Sequence, residues 1–198
     1  MVNTEIGIYR RKLLNAILYF AKTTKHLNIT KLSKLLYFLD FIHFQQTGYP
    51  SIGLRYYAFK RGPVPKDLWL EIKDCVVPDD FKGKLALVPK VDDLTPGYKE
   101  IEVRARVSPD LSVFTPRETK ILERLADIFR DTNARDISEV SHFPRQPWDI
   151  TIKKRGENAL IDYLLSIDEK SQVSLDEARD SLKEHFEVVH NFGLEPTK

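Results

Sequence analysis

The sequence predicts a mostly helical α+β fold, a compact helical domain around a buried central helix with a small antiparallel β-sheet. Three observations predict it. Leu32, Leu35, Leu36, Leu39, Ile42 and His43 recur at the spacing of one helical face between Thr30 and Thr47. Strand-like stretches are few and short, Leu54 to Lys60 and Glu100 to Val107 being the clearest. Two capping boxes, Thr115-Pro116-Arg117-Glu118 and Ser174-Leu175-Asp176-Glu177, open amphipathic helices later in the chain.

The first helix is expected over Gly7 to Lys25, with Leu13, Leu14, Ile17, Leu18 and Ala21 as its core stripe. His26 to Thr30 is a short break in which Asn28 or Thr30 caps the central helix. A connection this short favours an antiparallel pair. On the central helix Tyr37, Phe38, Phe41 and Phe44 make the remaining surface apolar too, so neighbours enclose it on several sides. Its polar positions are only Lys31, Ser33, Lys34, Asp40, Gln45 and Gln46. Leu32, Leu35, Leu36, Tyr37, Leu39 and His43 form the structural hub. Full burial of such apolar side chains contributes roughly 1.5–3 kcal/mol each before chain entropy is subtracted. Gly48 is placed to end the helix in a left-handed conformation, with Pro50 beyond it.

The strand from Leu54 to Lys60 runs into Arg61-Gly62-Pro63-Val64-Pro65, which reads as a tight turn. Gly62 accepts positive φ, and each proline holds its predecessor extended. Pro65 suits the first position of a third helix, Lys66 to Lys73. Pro78 to Thr95 reads as an exposed excursion in which Leu85, Leu87 and Val88 form a short strand. Glu100 to Val107 alternates with period two, a half-exposed strand of a small antiparallel sheet that can either include Leu54 to Lys60 or leave it out. The helix opened by Thr115 runs to about Asp131, with Ile121, Leu122, Leu125, Ile128 and Phe129 inward. Asn133 to His142 is a further short helix, which Phe143-Pro144-Arg145-Gln146-Pro147-Trp148 cannot continue. The last helix places Leu175, Ala178, Leu182, Phe186 and Val189 on one stripe and is closed by Gly193 and Pro196.

The 198 residues suit one domain with a small appendage. Lys and Arg number 31 against 29 Asp and Glu, and the resulting +2 argues against a strong nonspecific nucleic-acid or membrane binder. A lone cysteine, Cys75, excludes an internal disulfide and a multi-cysteine metal site, and it fits a reducing compartment. The N-terminal apolar run is broken by Asn15, Tyr19 and Lys22, and no run is long enough to span a bilayer. The expectation is a cytoplasmic protein with no membrane partner.

Catalytic and metal motifs are missing from the pattern. His185 and His190 are five apart and do not share a helical face, so no metal is expected, and with no Gly-x-x-x-x-Gly-Lys-Ser/Thr loop no cofactor is expected either. Cys75 follows a helix rather than preceding one, which favours an inert thiol. His43 reads as a core histidine with a hydrogen-bond partner. His142 and Trp148 flank two prolines: either Trp148 plugs a packed corner, or it is an exposed anchor for a partner. Arg10, Arg11, Lys12, Lys22, Lys25, Lys31 and Lys34 outline a basic zone around the first two helices, by default a set of solvated faces. The central helix is too apolar to read DNA.

Lys31-Leu32-Ser33-Lys34-Leu35-Leu36-Tyr37-Phe38, then His43, Gly48 and Pro50, then Tyr57-Ala58-Phe59-Lys60-Arg61-Gly62-Pro63-Val64, with Ser141, His142 and Trp148 later, resemble one known pattern. It is that of the Panacea domain, the SocA-like antitoxin domain also found in phage-associated proteins. The resemblance covers roughly Tyr9 to Tyr163 and suggests a Panacea-like domain over residues 1–165, with 166–198 a C-terminal helical extension. It implies a non-enzymatic antitoxin that neutralises a cognate toxin encoded nearby by direct protein contact, with a protease or chaperone as a further partner. Arg61, Gly62, Pro63, Val64, Pro65, His142 and Trp148 are the candidate contact residues, and the exposed stripe of the last helix is a second surface. The alternatives are a DNA-associated regulator of its own operon, and a hydrolase or transferase using His43 or His142 as a base.

Overall fold

In a computed structural model, residues 7–91 and 99–197 are described. The helices are α1 (Ile8–Thr23), α2 (Ile29–Thr47), α3 (Lys66–Ile72), α4 (Pro116–Ile128), α5 (Ala134–Val140), α6 (Pro147–Arg155) and α7 (Leu175–Asn191). The strands are β1 (Tyr56–Phe59), β2 (Gly62–Pro65), β3 (Leu85–Val91) and β4 (Lys99–Ala105). Helix α2 is the hub: Leu32, Leu35, Leu36, Tyr37 and Leu39 are at most 2% exposed. Asn28 supplies its N-cap by accepting from the Lys31 N–H, and Gly48 ends it at φ 77°. Both later capping boxes form as expected, at Thr115 with Glu118 and at Ser174 with Glu177.

The strands make two separate antiparallel hairpins, β1–β2 and β3–β4, so the strand within Leu54 to Lys60 is not joined to β4. The Arg61 to Pro65 stretch is not simply a turn. Lys60 and Arg61 form the bend, and Gly62–Pro65 is β2, paired Phe59 with Gly62 through Tyr56 with Pro65. Two prolines fit a strand here because of register. Both backbone groups of Ala58 bond to the 158–159 segment, and the Tyr56 carbonyl accepts from Ile161. Ala58–Pro63 and Tyr56–Pro65 are therefore non-hydrogen-bonded pairs, where the missing proline N–H costs nothing. Pro65 precedes α3 as its N-cap instead of opening it.

Other departures concern burial. Pro78 to Thr95 is not an exposed excursion throughout: Phe81 is fully buried, Leu85 nearly so, and β3 pairs along its whole length with β4. Its acidic end, Asp92 to Thr95, lies outside the described residues. Ile128 is 55% exposed, and Ala126 takes the inward position on α4. Leu175 and Phe186 also face outward on α7, where Ala178, His185 and Val189 are buried. Pro147 opens α6, a helix that the proline-rich spacing hid. The basic zone is a surface patch only in part: Arg11, Lys22 and Lys25 are exposed as expected. Arg10, Lys31 and Lys34 are each under 5% exposed, and each has been drawn inward by a partner. Arg10 lies over the Phe81 ring and pairs with Asp80 and Glu71. The Lys31 ammonium donates to the Lys25 and Arg130 carbonyls, tying together the segments that follow α1 and α4.

Asp40 fixes the chain that leaves α2. Its buried carboxylate accepts from the backbone N–H groups of Ile52, Gly53 and Leu54 and from the Tyr56 hydroxyl at 2.9 Å. The Tyr163 hydroxyl bridges the Leu54 carbonyl and Asp40. Helix α7 packs onto the same body: Gly48 lies against Ala178 and Ser181, and Gly53 against His185.

Candidate functional site at the hairpin corner

The β1–β2 hairpin stands against the N-terminal half of α2, the end of α5 and the start of α6. Gly62 is where they meet. It adopts φ 101°, and a Cβ there would lie 2.7 Å from Lys34 Cε, 2.8 Å from Ser141 Oγ and 2.9 Å from His142 Nε2. Only glycine serves a position with both that backbone and that crowding. From α2, Lys34 Nζ donates to the Pro63 carbonyl at 2.8 Å. From α6, Trp148 Nε1 donates to the Phe59 carbonyl at 3.0 Å. The His142 ring stacks on Trp148 with centroids 4.0 Å apart and planes at 21°. Trp148 is thus the packed corner of the two readings, half-buried against the core, with His142 lying over it.

Burial sorts the candidate residues. Gly62, Pro63 and Pro65 are buried and form the frame of the corner. Arg61 is exposed at the tip, and Val64 and His142 are half-buried. A pocket of about 950 Å³ opens beside them, with Lys34, Phe59, Arg61, Trp69, Arg135 and His142 among its walls. Burial pushes the Lys34 ammonium down to about 7. His142 is also lowered, first by burial and then by Lys34, while the Arg61 carbonyl favours its protonated form. Its Nε2 is buried and makes no well-formed hydrogen bond.

His43 lies elsewhere. It is 9% exposed, its Nδ1 is 2.7 Å from the Tyr49 carbonyl, and it lines no part of this pocket. Among the described residues no group of three or more His, Cys, Asp or Glu is placed to hold a metal ion, and no helix is long and apolar enough to cross a membrane. Sequence reasoning missed Lys34 as a site residue. The signal was present: a cation on a helix that is apolar nearly all round has no solvent face to occupy, so it must be buried against an acceptor.

The family described as antitoxin SocA-like, Panacea domain, matches residues 32–149. This chain belongs to that family. No curated protein and no solved structure matches it. The Panacea match begins in the first turn of α2 and ends in α6, narrower than the Tyr9 to Tyr163 resemblance. It contains Lys34, the hairpin, His142 and Trp148, and it leaves out α1 and α7. Membership in the Panacea family supports an antitoxin role in general.

Proposed function

We propose that this chain is an antitoxin that neutralises a cognate toxin, encoded beside it, by direct protein–protein contact and without chemistry of its own. The supporting observation is the stiffness of the corner. Arg61 stands exposed at the tip of a hairpin whose next residue is packed against Lys34, Ser141 and His142. A loop already fixed in place loses little entropy on binding, and arginine makes a strong interface anchor. Arg61, Val64 and His142 provide the contact, with Gly62, Pro63, Pro65 and Trp148 as its frame.

Co-expression with the adjacent reading frame tests this. The neighbour should arrest growth alone and lose that effect when this chain is present. A harmless neighbour, or one that stays toxic beside this chain, overturns the reading. Arg61→Asp should restore arrest while stability stays within about 0.5 kcal/mol of wild type, as expected for an exposed site. Repeating the assay in cells lacking the main proteases separates blocking from delivery of the toxin for degradation. A salt-sensitive band shift on the upstream DNA, with no effect on the neighbour, would favour the regulator instead.

A further inference from the structure

We propose that the pocket beside the hairpin is an oxyanion site and that it receives a carboxylate side chain of the toxin; this rests on the antitoxin reading above. The floor of the pocket holds nitrogen donors that lack acceptors. Lys34 is 1% exposed, and its only acceptor among the described residues is the Pro63 carbonyl. An ammonium group has three donors, so two are unused. His142 Nε2 is buried without a well-formed partner, and Lys34 and His142 both line the pocket. Two N–H donors in one pocket can serve the two oxygens of a carboxylate.

The acids of the pocket, Glu100 and Glu139, have partners on its own walls, and Glu139 also favours the protonated form of His142. Glu100 accepts from Asn28 Nδ2 at 2.6 Å, and Glu139 pairs with Arg135 at 3.3 Å. At the rim, Arg61 and Lys60 are exposed and form no ion pair among the described residues. Burial without a counter-ion favours the neutral amine of Lys34, and an arriving anion would favour its protonated form again. Phe59 and Trp69 offer apolar walls for the methylenes of an acidic side chain.

Nuclear magnetic resonance of the full chain tests this without the toxin. The titrations of the Lys34 ammonium and the His142 ring are followed at constant ionic strength, with sodium acetate as the probe, inorganic phosphate as the second probe and chloride as the baseline. Acetate should raise the Lys34 midpoint saturably by roughly one pH unit or more. Lys34→Met should abolish the effect on His142, and His142→Gln should weaken the effect on Lys34. Should Lys34→Met fail to fold, His142→Gln and Arg61→Ser, on less buried residues, carry the comparison. Absence of any acetate response overturns the proposal. A response to phosphate alone overturns the carboxylate ligand in favour of a phosphate. In cells, His142→Gln should weaken toxin capture at least about tenfold. Neutralisation by wild type without an acetate response sinks only this proposal. An acetate response without neutralisation sinks the antitoxin reading and the toxin as the source of the carboxylate.

Discussion

Lys34 Nζ donates to the Pro63 carbonyl across 2.8 Å, from a position that is 1% exposed. A primary amine there joins the central helix to the middle of β2, and its protonation is linked to folding.

The folded ammonium titrates at about 7, and an unfolded lysine near 10.4. Between those values the unfolded chain holds more protons, so stability rises with pH, by at most about 1.4 kcal/mol per pH unit. Below the folded value both states are protonated and the contribution is flat. Urea melts of wild type and Lys34→Met from pH 6 to 9 check this. Wild type should gain on the variant as pH rises, and a constant difference contradicts it.

Gly62→Ala should destabilise by about 2 to 4 kcal/mol, through backbone strain together with displacement of three side chains. The left-handed φ of 101° and the 2.7–2.9 Å approaches to Lys34, Ser141 and His142 act together. Thermal unfolding measures the loss. Gly83, at φ 75° with nothing within 4 Å of a new Cβ, separates the two causes, since Gly83→Ala carries the strain alone.

Asp40→Asn should cost about 2 to 4 kcal/mol, because an amide nitrogen would face donors that now find an acceptor. Ile52, Gly53, Leu54 and Tyr56 would each lose part of their satisfaction. Hydrogen exchange at the three backbone amides should speed up more than exchange within α1.

Helix α7 should loosen in acid. His185 is 4% exposed, and burial, helped by the charge of Lys12, lowers it to about 4. Tyr9 is the hydrogen-bonding group that faces it, at 3.3 Å. An unfolded histidine titrates near 6.5. Between 6.5 and 4 the unfolded or undocked segment binds more protons, so stability falls as pH falls through that window. Exchange rates of the α7 amides at pH 7 and pH 5 measure it, and His185→Phe should flatten the difference.

The hub, the caps and most helices were legible because periodicity and capping chemistry are local. Leu32 to Leu39 sit where their spacing put them, Asn28, Thr115 and Ser174 open helices through their side-chain caps, and Gly48 ends one through its left-handed backbone. The hairpin was half legible. Gly62 marked the bend, but which proline nitrogens face away from a partner strand depends on register, set here by the distant 158–161 segment. Arg10, Lys31, Lys34 and Asp40 were the least legible, because residue type alone assigns charge to the surface. Their acceptors and donors lie far along the chain, at Asp80, Arg130, Pro63 and Ile52 to Tyr56. The inward place of His185 in α7 escaped for a related reason, since the glycine that accommodates it is Gly53.

With Pro63 and Pro65 both in non-hydrogen-bonded pairs, the outer rim of β2 carries no N–H group at either position that points away from β1. A foreign strand laid along that rim would find no donor at these two positions, and the Pro63 carbonyl already accepts from Lys34. The corner is therefore closed to recognition by sheet extension, whether by a toxin or by a second copy of this chain, and whatever grips it must do so through side chains.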